Sequence, residues 1–202
     1  MVGMTSLALV CTCGAVRGAL HNVTPTQVNR VVCYCDDCQT FAAALGRSDV
    51  LDGFGGTDIV QAYPCNVTIT EGREHVALLR LSPKGLLRFH TACCRAPLAN
   101  TMPSARAPFL GLNRKLFAAD ADAALGPPIG GVQAKFARGR PPGASDTLSA
   151  GVVARTAWFL GRGALFGRHA PSPVRDAAGA PIVEARVLTR EERDAARPAS
   201  GS

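Results

Sequence analysis

Lysine is scarce in this sequence: only three of its 22 cationic side chains are lysine, the rest arginine. In a chain so rich in alanine and arginine that skew reads in part as coding bias. No apolar run is long enough to span a bilayer as a helix. The best candidate, residues 151–165, is broken by Arg155 and Arg162. The opening MVGMTSLALV lacks a cationic segment and has too short an apolar core for a secretory signal. Leu9-Val10 before Cys11 also lacks the small residues of a lipoprotein cleavage site. The glycine-rich stretch Asp52 to Gly56 is followed by neither Lys-Ser nor Lys-Thr, which argues against a phosphate-binding loop. No repeat of solenoid length is present. These absences lead to the expectation of a cytoplasmic, reducing compartment without a membrane span. There, clustered cysteine signals metal or redox chemistry more often than disulfides.

What is present is a chain of 202 residues, 47% hydrophobic and 18% charged, enough to bury an ordinary core. The net charge of +7 is uneven. Residues 1–100 carry 8 cations against 7 carboxylates, and the remainder 14 against 8. A basic half can attract nucleic acid, an anionic membrane or an acidic partner, or it can simply be a solvated surface. The solvated surface is the simpler reading.

Residues 6–20, SLALVCTCGAVRGAL, alternate apolar with small or polar residues around a glycine, the pattern of two short strands joined by a Cys-bearing turn. Val28 to Cys33 reads as a strand and Gln39 to Leu45 as a short helix. Further strands follow at Val67 to Thr70, Val76 to Leu81 and Leu86 to His90. The last two are joined by Ser82-Pro83-Lys84-Gly85, with proline and glycine where a type I turn favours them. HTACCRAPLAN, residues 90–100, reads as a strand turn, and Pro108 to Leu112 as one more strand. Gly126 to Gly131 and Arg138 to Gly143 read as loops or linkers. A helix over about 147–165, capped by Asp146 or Ser149, and a short one starting near Thr189 complete the pattern. The fold class predicted is mainly β with a C-terminal helical and irregular extension. The expected division is a zinc-binding domain over 1–125 and a basic extension over 126–202 packed on it.

Eight cysteines fall in four places: Cys11 and Cys13; Cys33, Cys35 and Cys38; Cys65 alone; and the adjacent pair Cys93 and Cys94. Thiolates suit zinc, which is borderline-soft and takes four ligands tetrahedrally. Gly14 helps a tight turn aim two sulfurs at one ion, since glycine tolerates positive φ. Cys11 and Cys13 with Cys93 and Cys94 supply four sulfurs, a closed structural site. The trio supplies three and so leaves one position open, the catalytic arrangement. Alternatives stand beside this. In a regular strand, Cys93 and Cys94 would point to opposite faces, leaving one as a buried small hydrophobe. The trio could take Asp36, Asp37 or a histidine as a fourth ligand and be structural, or it could serve thiol redox chemistry. His90 is a spare ligand, and Cys65 reads as packing.

Three motifs in this order resemble the glutathione-dependent formaldehyde-activating enzyme family, which also includes centromere protein V. They are Cys11-Thr12-Cys13-Gly14-Ala15-Val16, Cys33-Tyr34-Cys35-Asp36-Asp37-Cys38 and Cys94-Arg95-Ala96-Pro97-Leu98. The resemblance covers about residues 7–112, and the tail beyond 130 is similar to that of an uncharacterised bacterial branch. It implies a β-tent fold with two zinc ions per chain, one structural and one catalytic. It also implies carbon–sulfur lyase chemistry on a thiol adduct, with glutathione or another small thiol as partner. The sequence departs from the family at several positions. Aligning Pro97-Leu98 puts Thr91 where the family has its first cysteine and Arg95 where it has glycine, with Cys93 offering the missing sulfur. Tyr34 and Gln39 stand where the family favours histidine and arginine.

On this reading Cys33, Cys35 and Cys38 form the open zinc site, and Tyr34 or Asp37 shuttles a proton. The competing class is a non-catalytic, zinc-stapled binding module. Arg138-Gly139-Arg140-Pro141 matches the core of a minor-groove hook, but a single copy in such a linker arises easily by chance, and nucleic acid is not the expected partner. The 147–165 segment is expected to dock on the core, with a membrane surface or a homodimer as alternatives. Elemental analysis of the purified protein is expected to return close to two zinc ions per chain. A value near one would leave the trio vacant.

Overall fold

The computed structural model describes residues 5–24 and 27–198. The alternating segment around the first cysteine pair forms β1 (Thr5–Val10) and β2 (Arg17–Val23), paired antiparallel. β2 also pairs with a later strand, giving a three-stranded sheet. Gly18 allows this approach, because a Cβ there would stand 2.0 Å from the Thr68 carbonyl oxygen.

The larger sheet begins with β3 (Asn29–Cys33) and β4 (Thr57–Ala62). β5 (Val67–Glu71) completes the small sheet, and the large one continues with β6 (Val76–Arg80), β7 (Leu87–Thr91), β8 (Pro97–Thr101) and β9 (Leu110–Asn113). Its outer strands are β10 (Gly131–Val132) and β11 (Ala185–Val187). The order is β10-β3-β4-β9-β8-β7-β6-β11, with only the two outer pairings parallel. The chain is thus mainly β, as expected, with no closed barrel among the described residues. The main core lies on Leu9, Leu20, Val60, Phe89, Leu98 and Leu112.

Four helices accompany the sheets: α1 (Asp36–Ala44), α2 (Asp122–Leu125), α3 (Ala150–Leu165) and α4 (Arg190–Ala196). α1 starts three residues before the sequence pattern suggests. Its first turn is polar, and Asp36 and Asp37 there oppose the positive end of the helix dipole. Ser149, not Asp146, caps α3, accepting from the Val152 amide at 3.4 Å. α4 carries a full capping box between Thr189 and Glu192.

β8 and β10 lie where the sequence pattern suggests a turn or linker, and β11 in a stretch given no element. β10 and β11 pair over two and three residues, too few for a period to show. β8 follows the cysteine turn directly and is buried at four of its five positions, so it does not alternate.

α3 docks by one side only. Phe159 stacks on Tyr63 with ring centroids 4.1 Å apart, and the Tyr63 hydroxyl donates to the Phe159 carbonyl at 3.0 Å. Val152 joins Val31 and Val132 beneath it. Val152 and Phe159 are the bulky residues of α3 that are buried. Val153 and Trp158 face outward, because one helical face cannot hold them all. Phe159→Ala is expected to destabilise the fold by about 3 kcal/mol, and Trp158→Ala by less than about 0.5 kcal/mol. Urea unfolding of the two variants checks both.

Candidate metal centre

The turn between β1 and β2 is shaped by Cys11 and Gly14. The Gly14 amide donates to the Cys11 carbonyl at 2.9 Å, and Gly14 takes φ +80°. The β7–β8 turn is shaped by Thr91, whose hydroxyl accepts from the Ala96 amide at 3.0 Å. Arg95 adopts φ +56° there, the left-handed region that glycine enters at no steric cost. The backbone therefore takes a shape that suits glycine although arginine stands there.

Cys93 and Cys94 sit within that turn, not in a strand, and so escape the alternation that would aim them apart. All four sulfurs, of Cys11, Cys13, Cys93 and Cys94, lie within 4.8 Å of one another. Individual separations are 3.6 Å for Cys11–Cys13, 4.0 Å for Cys11–Cys93, 3.4 Å for Cys13–Cys93 and 4.0 Å for Cys93–Cys94. A tetrahedron with zinc–sulfur bonds of about 2.3 Å has edges of about 3.8 Å, so the donor set fits one such ion. These spacings are far too long for disulfides, and all eight cysteines are free.

Backbone and hydroxyl donors reach two of these sulfurs. The Val16 amide donates to Cys11 Sγ at 3.2 Å. Desolvation works to raise the Cys94 thiol, but hydrogen bonds from the Thr91 hydroxyl and the Cys13 and Ala96 amides outweigh it and bring Cys94 down to about 6. Cys93 is pushed up to about 12 by desolvation and by its neighbours Cys13 and Cys11. Arg47, just beyond α1, clamps the two turns together. Its Nη1 donates to the Cys94 carbonyl at 3.0 Å and its Nη2 to the Thr12 hydroxyl at 3.0 Å, while Asp49 holds its Nε at 2.7 Å.

The second group gathers Cys33 at the end of β3, Cys35 at the start of α1 and Cys38 in its first turn, again within 4.8 Å. The Cys38 and Gln39 amides both donate to the Cys35 carbonyl. Hydrogen bonds from Cys33 and Cys35 pull Cys38 well below the ordinary thiol range against its burial, with the Arg88 guanidinium adding to the effect. Cys33 moves the opposite way, raised by the same contacts and by burial. For Cys35 the hydrogen bond with Cys33 works downward, but Cys38 and burial push it up to about 12. One thiol therefore gives up its proton first and the others share what remains.

The remaining sequence candidates are placed as follows. The Tyr34 hydroxyl donates to Asp52 at 3.1 Å, and burial together with that carboxylate pushes it up to about 12. Asp37 sits at the surface of the α1 first turn and accepts from Arg88 Nη2 at 3.4 Å. Gln39 is buried and donates to the Tyr34 and Phe136 carbonyls, both at 2.8 Å, so it faces backbone. His90 lies edge-on to Phe41, 6.5 Å between centroids, outside both sulfur groups. Cys65 donates to its neighbour Asn66.

Arg88 and Arg47 are absent from the sequence reading. An arginine inside a strand reads as solvent-facing, yet Arg88 is only 2% exposed, because α1 covers its face of the sheet. No signal in the sequence alone couples either arginine to a cysteine.

A family model described as a family of unknown function (DUF6151) matches residues 4–186. No curated protein matches. Among solved structures, a crystal structure of a Rhodobacter sphaeroides protein is similar at 14% identity and a TM-score of 0.40, over 60% of this chain and 97% of that one. At that score the likeness carries no argument. The geometry itself predicts that Cys94→Ala removes about one metal ion per chain and lowers the urea midpoint, whereas Cys65→Ala leaves metal content unchanged. Elemental analysis beside unfolding curves distinguishes the two.

Proposed function

For a chain that belongs to this family of unknown function, DUF6151, we propose a zinc protein whose three-sulfur group handles a thiol adduct in the manner of a carbon–sulfur lyase. The observation that carries the reading is the contrast between the two groups. Cys11, Cys13, Cys93 and Cys94 offer four sulfurs to one ion, a closed cage, while Cys33, Cys35 and Cys38 offer three. An all-thiol donor set favours zinc among the divalent ions. A three-ligand site is the kind that keeps a position for substrate. The motif resemblance to the glutathione-dependent formaldehyde-activating enzymes supports the same direction.

Zinc held by the trio would keep a substrate sulfur deprotonated at neutral pH and polarise the bond beside it. The rest falls to the chain's own side chains. In an adduct R–S–CHR′–OH, the carbon–sulfur bond breaks and its electron pair stays on sulfur. The hydroxyl loses its proton and becomes a carbonyl, so the products are a thiol and a carbonyl compound, with no oxidant needed. Asp37, in the first turn of α1 and 52% exposed, would carry that proton to solvent. Tyr34 has its own proton committed to Asp52, which leaves Asp37 the better carrier.

Glutathione or another small thiol is the proposed partner. The cation that Gln39 does not provide comes instead from Arg88, reaching across from β7. The alternative, a zinc-stapled module binding nucleic acid through residues 138–141, has less behind it. The Arg138 amide is tied to the Phe54 carbonyl at 2.9 Å and Pro141 is buried, so that segment is not a free arm.

Cys35→Ser is expected to abolish breakdown of a glutathione–aldehyde hemithioacetal, followed by release of free thiol, while the thermal midpoint stays within a few degrees of wild type. Unfolding of this variant would make the trio a structural site and favour the non-catalytic module.

A further inference from the structure

Beneath α1, the face of the large sheet encloses a cavity that neither sulfur group uses. It lies between Cys38 and Phe41 of the helix and Thr57, Arg88, Asn100 and Asn113 of four neighbouring strands. Its free volume is about 10 Å³, room for about one water-sized group.

Three polar atoms on its walls are buried and meet no protein partner among the described residues: Arg88 Nη1, Thr57 Oγ1 and Asn100 Oδ1. Arg88 is 2% exposed and Thr57 7%. A buried, unpaired polar atom costs on the order of 1–3 kcal/mol, so three around one small space point to an occupant that satisfies them together. The guanidinium can only donate, the hydroxyl can do either, and the amide oxygen can only accept. A hydroxyl answers all three: its oxygen accepts from Arg88 and Thr57 and its proton goes to Asn100. Ile59 and Leu98 are among the apolar side chains that share the lining. Arg88 is fixed in place by the Phe41 ring, 5.4 Å from its guanidinium carbon, and by Asp37 on its other nitrogen.

We infer that this cavity is the oxygen subsite of the three-sulfur site: it takes the oxygen borne by the carbon next to the substrate sulfur. The inference rests on the thiol-adduct reading above. Cys38 belongs both to the sulfur group and to the cavity wall, so the sulfur and oxygen positions adjoin. Room for one oxygen, beside an Asn100 Oδ1 that needs a donor, selects a hydroxyl and rejects a carboxylate or phosphate. Thr57 and Asn100 are specificity-determining residues in this scheme, and Arg88 is the donor.

Two probes of nearly the same size test it on the full-length, cobalt-loaded protein: thioacetate, with an oxygen on the carbon beside sulfur, and ethanethiol, without one. Their binding is read from the sulfur-to-cobalt absorption bands. Thr57→Val, close in shape to the native residue, is expected to weaken thioacetate about tenfold, whereas Asn100→Leu removes an acceptor that the proton-free thioacetate oxygen does not serve and is expected not to weaken it. Ethanethiol should stay within about twofold, and cobalt content and thermal midpoint should match wild type. If Thr57→Val perturbs the fold, Thr57→Ala carries the comparison. Thioacetate binding left unchanged by loss of the Thr57 hydroxyl would make the cavity a buried-water site and overturn the inference. Equal weakening of both probes would assign these residues a role in shape alone and overturn it as well. If ethanethiol binds but wild type shows no response to thioacetate, the subsite fails while the thiol reading stands. If neither thiol perturbs the wild-type bands, the thiol-adduct reading itself falls, and the subsite with it.

Discussion

Cys11 and Cys13 belong to a turn of the small sheet, and Cys93 and Cys94 to a turn of the large one. Holding sulfurs from the two turns 3.4–4.0 Å apart pins together two sheets that share no strand pairing. Four sulfurs in so small a volume would repel one another as thiolates, and the nearby Arg47 is engaged with Asp49 and the backbone. A bound divalent ion is the natural neutraliser for such a group. Without it the corner between the sheets would hold unbalanced charge or thiols packed with little gain.

The second sulfur group depends on the first through α1. Just past the end of that helix, Arg47 reaches the four-sulfur corner, while its start carries Cys35 and Cys38. Phe41 and Leu45 on its buried side meet Leu79, Leu81 and Leu188. The trio is therefore positioned by a rigid element anchored at its far end, which is what a site needs if its side chains are to keep their spacing. Arg88 enters from the sheet beneath and supplies the charge that the helix lacks.

The parts of this arrangement legible in the sequence were those set by local spacing. CxCG implied a tight turn with a left-handed glycine, and Gly14 provides it. The short apolar runs gave most strands of both sheets. What could not be read depends on partners distant in sequence. Cys93 and Cys94 converge only because a turn, not a strand, holds them. Arg88 sits in a strand buried on both faces, where alternation no longer separates inside from outside. The unpaired atoms of Thr57 and Asn100 acquire meaning only when four strands and a helix close around them. Conversely, Trp158 lies in the segment expected to dock on the core and is 73% exposed.

Both outer strands of the large sheet come from beyond residue 126, and they are two and three residues long. A sheet rim with free amides and carbonyls recruits strands from other molecules. β10 and β11 cover the rims of β3 and β6 too briefly to serve as templates themselves. β10 also lies alongside Cys33, and the Val132 carbonyl receives the Tyr34 amide at 3.0 Å. The covering that keeps β3 from joining a neighbouring chain is thus the same covering that shapes the approach to the trio. Any event that peels it away would create a sticky edge and a deformed sulfur site at once, tying self-association of the chain to loss of the trio's spacing.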